Sequence, residues 1–506
     1  MRQHQTSCRY RANIGARRII FSREPDSALK PRHPWTILSV PISPYRETIH
    51  PASTLFMFYH PLPAKRSARR TLLCGLLCTA SFASAAPSES NLQLPSWLSL
   101  SGTLQTRVEY LNQDFDSGQR EDHALVERTT LRADLNFEHS GATLELADSR
   151  IFWVEDDTPV NSAMVNPLDI LQGYVWVGDD QWQVKLGRFT QDLGSRRFMA
   201  RNRYRNTINA FDGVNARWQL GEQDTVRAFY SLPVERRFDG DPRDNKMKSD
   251  RSHENQQFGG LMYETSRLPF DSQGEIYLLT LKERDSADLQ TRNRELYSVG
   301  VRLLRNPQTS HWDYEFEALQ QEGRSRLSSS ATNTDSLDHS ASFLHAELGY
   351  SFDAPWQPRL QAHYDYASGD RDPDDNENNG LDSLYGIPRS DFGPTGIYGL
   401  LARNNISSPA VRLELKPAGD WRLFMELRDA WLATAAAPSP RTGLAEAIPG
   451  GDKHLGSQLE TVLRWQVIPS RLQLESGLTY FNASDALKDR GIDDKYYLYL
   501  QANLSF

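Results

Sequence analysis

Cysteine is nearly absent from this 506-residue chain, and the three that occur, Cys8, Cys74 and Cys78, all fall within its first 86 residues. The remaining stretch of about 420 residues therefore excludes a disulfide scaffold and a thiolate metal centre. It also contains no run of 18 consecutive apolar residues, which excludes helical membrane spans. An excess of basic charge is missing as well. Of 57 Lys and Arg, 13 lie in residues 1–86 together with 3 of the 65 acidic residues, leaving 44 against 62 and a charge near −18. Such a balance argues against nucleic acid as a partner, since phosphate binding needs net basic surface. No catalytic constellation stands out either: Ser342 and His345 are the nearest candidates, without a glycine-flanked nucleophile. A barrel lipid hydrolase, whose residues would sit on separate strands, is the minor alternative.

What the first residues do contain is a leader. "MFYHPLPAKRSARR" from Met57 supplies a basic region, "TLLCGLLCTA" a short apolar core and "ASA" at 83–85 a small-residue cleavage site. These are the parts of a secretory signal peptide, expected over residues 57–85. Bulky Leu77 before Cys78 disfavours a lipoprotein. Residues 1–56 are read as an N-terminal extension from a start placed too early, and the folded part as residues 97–506.

Within that part, period-two alternation recurs. In "KYYLYLQANLSF" Tyr496, Leu498, Leu500, Ala502, Leu504 and Phe506 share one face and Lys495, Tyr497, Tyr499, Gln501, Asn503 and Ser505 the other. A wholly apolar face opposite a polar one suits a strand between lipid and a polar lumen. The pattern returns at 98–110, 126–138, 214–220, 411–416 and 459–467, and eighteen such segments fit into residues 97–506. Their linkers alternate: short ones such as 140–141, 179–180, 221–223 and 469–470, long polar ones such as 111–123, 152–169, 190–210, 368–408 and 432–453. This predicts an all-β fold, a transmembrane antiparallel β-barrel of about 18 strands in the bacterial outer membrane, with long extracellular loops and short periplasmic turns. A soluble propeller or adhesin would alternate too, but it would not need the short-long loop rhythm or the terminal Phe506. Mean hydropathy of −0.60 fits a barrel, since half of each strand faces water.

Strand parity points Arg107, Arg128, Arg132, Arg217, Arg227, Arg302, Arg359, Arg412, Arg422, Arg428 and Arg464 into the lumen, against twelve acidic residues. The wall is thus close to neutral, and many of these residues are expected to form cross-strand ladders. Balance breaks in "LGRFTQDLGSRRFMARNRYRNTINAFDGV", residues 186–214. Arg196, Arg197, Arg201, Arg203 and Arg205 lie in a long loop with Arg188 at its root, which parity places on the lipid side unless Gly187 bulges. Two readings stand: the loop folds into the lumen and its guanidinium groups bind carboxylates, or it grips lipopolysaccharide phosphates at the rim. As loop charges, Arg196, Arg197 and Arg201 are expected to be dispensable for folding. The substrate-binding set is therefore Arg188, Arg196, Arg197, Arg201, Arg203 and Arg205 with Arg107, Arg128, Arg132, Arg217, Arg412, Arg428 and Arg464.

This run, with "YDYASGDRDPDD", "DFGPTGIYGLLARNNI" and "LELKPAGDWRLFMELRDAWLA", resembles the alginate export family of outer-membrane proteins. The resemblance covers nearly all of 97–506. It implies an 18-stranded barrel with an arginine-rich constriction passing an anionic polyuronate outward, with outer-membrane lipid, lipopolysaccharide and periplasmic export partners around it. "DFGPTGIYG" looks more typical of members whose substrate is undefined, so a small organic anion, or uptake as a porin, stays open. No cofactor is expected except calcium: in "GDRDPDDNENNG" Asp370, Asp372 and Asp374 alternate as in calcium loops, although the glycine at the sixth position is missing.

Overall fold

The computed structural model describes residues 94–112, 121–156, 158–202, 204–437 and 451–506. The expected leader and extension, residues 1–85, lie outside the described residues, as does Arg203.

Among the described residues there are twenty strands, of which Arg251–Ser252 and Glu377–Asn378 are two-residue pieces within connections. The other eighteen each pair antiparallel with the next, and the ring closes where Leu98–Leu111 pairs with Lys495–Ser505, Val108 opposite Leu500. Closure leaves no free edge, the condition for strands in hydrocarbon, where an unpaired backbone group costs several kcal/mol. Strands form at 140–152, 166–178 and 272–283, where the alternation at 142–151, 170–178 and 274–283 is least regular.

Side-chain exposure inverts the usual order of a soluble protein. In Lys495–Ser505, Tyr496, Leu498 and Leu500 are exposed on the outer face, whereas Tyr497, Tyr499 and Gln501 are buried inside. Leu186, Val214, Leu261, Leu278, Val299 and Leu427 continue the exposed apolar band around the ring. Trp182, Trp218, Phe270, Trp312, Trp356 and Phe506 stand exposed near the short turns, as an interfacial aromatic girdle does. Leu278 sits between Leu261 and Val299 in this band. Leu278→Arg should destabilise the barrel by about 2–4 kcal/mol in bilayers, measured by reversible denaturant unfolding, whereas Leu278→Phe should be near neutral.

The connections alternate in length. Short ones span 137–139, 179–181, 220–223, 269–271, 306–311, 352–358, 416–420 and 469–471. At the other end lie 190–210, 236–255, 284–294, 368–405 and 432–453, among others. Burial along the inner face shows where these longer segments go. Towards the long-loop end Gln105, Arg107, Glu109, Arg128 and Tyr499 are buried, while towards the short turns Ser101, Thr103 and Asn136 are exposed and Arg132 is half-buried. One half of the interior is therefore filled and the other open to solvent.

Candidate functional site in the barrel interior

The filling comes from segments 190–210 and 368–405. They run together through the interior: Ala200 N donates to Tyr385 O, Tyr385 N to Phe198 O and Ile387 N to Arg196 O. Phe198, Met199, Leu381, Phe392, Ile397, Tyr398 and Leu400 pack with wall residues Tyr277, Leu279, Phe343 and Tyr497 into one apolar cluster. Two glycines allow the second segment to press against the wall. A Cβ on Gly393 (φ +89°) would lie 2.7 Å from the Gln458 amide nitrogen, and one on Gly396 (φ +91°) would collide with the Glu109 carboxylate. Both lie in "DFGPTGIYG", which explains that motif as a close-fitting path.

Charge inside the filled half is matched pair by pair. The Arg197 guanidinium forks onto Asp391, Nε to Oδ2 at 3.0 Å and NH2 to Oδ1 at 3.1 Å, and also bonds Glu317 at 2.7 Å and Glu315. Arg403 meets the same Asp391 from the other side and donates to Arg197 O at 2.7 Å. Across the lumen Arg389 pairs with Glu460 at 2.8 Å and stacks on Tyr204, 4.8 Å from its centroid. Burial alone would raise the Asp391 carboxyl, but the Arg197 and Arg403 guanidiniums hold it well below the usual range. At the mouth, burial would likewise raise Asp382, but Arg294 and Arg292 bring it down to about 2.

The sequence-selected arginines separate into groups. Arg107 bonds Glu109 at 2.8 Å and Tyr204 O at 2.7 Å; Arg128 bonds Gln105 and Arg205 O, both at 2.7 Å. Arg201 binds Glu145 at 2.7 Å, Arg205 binds Asn209, and Arg428 joins Asp365 at 3.1 Å and Glu426 at 3.2 Å. These stand with Arg197 around the two inner segments. Arg132 with Asp134, Arg412 with Glu426 and Arg464 with Glu475 lie on the way to the open half, while Arg217 bonds the turn carbonyl of Asp180. Arg196 is exposed with positive φ and has no ion-pair partner among the described residues.

One placement follows strand parity and sets Arg188 apart from the substrate-binding set, and another corrects the sequence reading. Arg188 stays on the outer face, opposite Asp212 in register, bonding it at 2.7 and 3.0 Å with Asp169 nearby. It is thus a compensated rim charge, separate from the interior arginines. Nor is Arg197 a dispensable loop charge, because it is a shared partner of three carboxylates. Among the described residues, removing it leaves Glu317 with no cation in direct contact, Asp391 with Arg403 and Glu315 with Arg302. The acidic stretch is not gathered into a calcium loop: Asp370 is buried and accepts from Asn379 N, while exposed Asp372 accepts from Asp374 N within a turn. Without a glycine at the sixth position the chain turns through these local bonds instead. His345, Asp365 and Asp391 do gather, but Arg428, Arg197 and Arg403 already bond their carboxylates, so this group reads as an ion-pair network. Ser342 and His345 fall on opposite faces of one strand and cannot act together.

A family model described as "Alginate export" matches residues 96–500. The chain belongs to the alginate export family. Membership and a closed barrel with an apolar outer band place it in the bacterial outer membrane as a channel protein. No curated protein matches the sequence. Among solved structures, the outer membrane protein OpdK of Pseudomonas aeruginosa matches at 13% identity with a TM-score of 0.52, covering 81% of this chain and 99% of that one. OccAB1 of Acinetobacter baumannii matches at 12% identity and TM-score 0.54, covering 80% and 96%. At these identities the likeness is one of fold.

Arg389, Asp391 and Arg403 were missed by sequence reasoning. They lie in the longest connection, where period two is absent and no parity assigns a direction. The available signal was a pair of arginines flanking an aspartate and two glycines in a loop of apolar residues that a solvated loop would not need.

At the rim, burial pushes the Asp250 carboxyl up to about 6, with Asn166 and the Arg237 N–H opposing. A raised carboxyl favours the folded state below its unfolded value near 4 and loses that contribution as pH rises through 6. Asp250→Asn should therefore raise stability by about 1–2 kcal/mol at pH 8 and leave it unchanged at pH 4, allowing for partial exposure.

Proposed function

We propose that this barrel passes an anionic saccharide of the polyuronate type, or a small organic anion, between periplasm and exterior. The long connections face outward and the short turns and both strand termini face the periplasm, the usual arrangement of such barrels. The observation that carries the anion reading is Arg197 with Arg403: two guanidiniums deep in the lumen converge on one carboxylate. A fork of this kind recognises planar carboxylates specifically. Arg132 and Arg464, half-exposed in the open half, would offer the anion successive weaker partners on its path. OpdK was also solved with vanillate, a small carboxylate, at 12% identity and TM-score 0.51, which supports the small-anion version as a second reading.

Outer-membrane lipid surrounds the exposed band, and lipopolysaccharide would meet the rim at Arg188 and Arg237. Planar-bilayer recording tests the proposal. Anion-selective current reduced by oligouronate is expected; cation selectivity, or no current under any anion, would overturn it.

A further inference from the structure

We propose that Asp391 is a tethered stand-in for the permeating carboxylate. Arg197 and Arg403 form a carboxylate site, Asp391 fills it at rest, and a free carboxylate exchanges for it, releasing the segment around Asp391 from the wall. This rests on the anion-channel reading above.

The geometry separates the occupant from the site. Asp391 belongs to a single helical turn, Arg389–Phe392, in the middle of the long connection, held to the wall by side-chain contacts of Arg389 and Phe392 and by no strand pairing. Arg197 keeps Glu315 and Glu317 when Asp391 leaves, and so stays in place. Arg403 has no other acidic partner among the described residues. It is 1% exposed, with its guanidinium carbon 5.5–5.8 Å from the ring centroids of Phe198, Phe343 and Phe392, and its Nε has no hydrogen-bond partner.

Withdrawing Asp391 by itself would leave Arg403 charged and buried with backbone carbonyls but no carboxylate to neutralise it, which is strongly unfavourable. Exchanging one carboxylate for another conserves the pairing, so release is coupled to the arrival of an anion. A tethered carboxylate competes at an effective concentration in the millimolar range, which makes the site respond to concentrated or multivalent carboxylates and ignore traces. Neutral sugars, lacking the charge, would not trigger it.

Two experiments use the full chain refolded in lipid, with the folded barrel checked by its resistance to unfolding in dodecyl sulfate. In planar bilayers, the half-saturating galacturonate concentration for channel opening should fall about tenfold in Asp391→Asn, because the competitor is gone. In Arg403→Gln the response to galacturonate should be lost. The second experiment leaves the site intact. Thr395 is buried on the same segment, and with Cys8, Cys74 and Cys78, the three cysteines of the chain, replaced by serine, Thr395→Cys is a unique reporter. Its maleimide labelling should accelerate with galacturonate and not with galactose.

If the wild-type channel prefers anions yet Asp391→Asn has the wild-type half-saturating concentration, or labelling of Thr395→Cys ignores galacturonate, the tether is overturned and the anion channel stands. A wild-type channel with no anion preference overturns both.

Discussion

Replacing residues 385–400 with a glycine-serine linker of the same length should markedly raise the current through the barrel and leave it conducting continuously. That segment supplies Phe392, Ile397, Tyr398 and Leu400 to the cluster filling the long-loop half, and a flexible polar linker would leave the space to water. An 18-strand ring is wide enough for an aqueous lumen once its interior is cleared. The wall should survive, because the strands Arg359–Ala367 and Ile406–Leu415 that flank the loop pair directly with each other. Bilayer conductance checks this. Unchanged current in a folded barrel would mean that the segment is not what occludes the pore.

The second large effect is on stability. Arg197→Ala removes the shared partner of Asp391, Glu315 and Glu317, and breaking one side of a buried pair typically costs about 3–5 kcal/mol. Denaturant unfolding in lipid should show a loss of this order at pH 7. The sign with pH follows from Asp391, whose carboxyl is held well below the usual range in the folded wild type. Its contribution is complete above the unfolded value near 4 and is lost as pH falls through the lowered folded value. In the variant burial acts on the same carboxyl with Arg197 gone and only Arg403 and His345 opposing, so protonation relieves part of the damage. The gap between the two proteins should be widest at neutral pH and narrow in acid. A gap that widens in acid would contradict the pairing.

These two experiments probe different parts of one arrangement, a rigid ring and a contents that the ring does not specify. Arg107 and Arg128 illustrate the link between them: each is a wall residue, yet each donates to a carbonyl of the inner arginine segment, Tyr204 O or Arg205 O. The ladder thus provides sockets for the loop, and its charges are balanced at the level of single bonds.

The ring was legible in the sequence because its cause is local. A strand with lipid on one side and polar surroundings on the other must alternate residue by residue, so Tyr496, Leu498 and Leu500 could be assigned outward and Tyr497, Tyr499 and Gln501 inward before any fold was known. Eighteen strands, antiparallel order and outer-membrane placement follow from repeating that rule. The sequence also marked 190–210 as unusual through its arginines, though it left open which way the loop turns.

Tertiary structure alone decided what fills the barrel. The bond between Arg197 and Asp391 joins residues 194 positions apart, and no periodicity connects two loops. Long connections obey no two-residue rule, and their paths are fixed by which buried charges find partners and which glycines let the backbone approach the wall. So the sequence by itself determined a lipid-facing closed sheet, since alternation is a property of each strand. Only the three-dimensional arrangement brought Arg197 and Arg403 onto Asp391, since desolvated charges are matched across space and not along the chain.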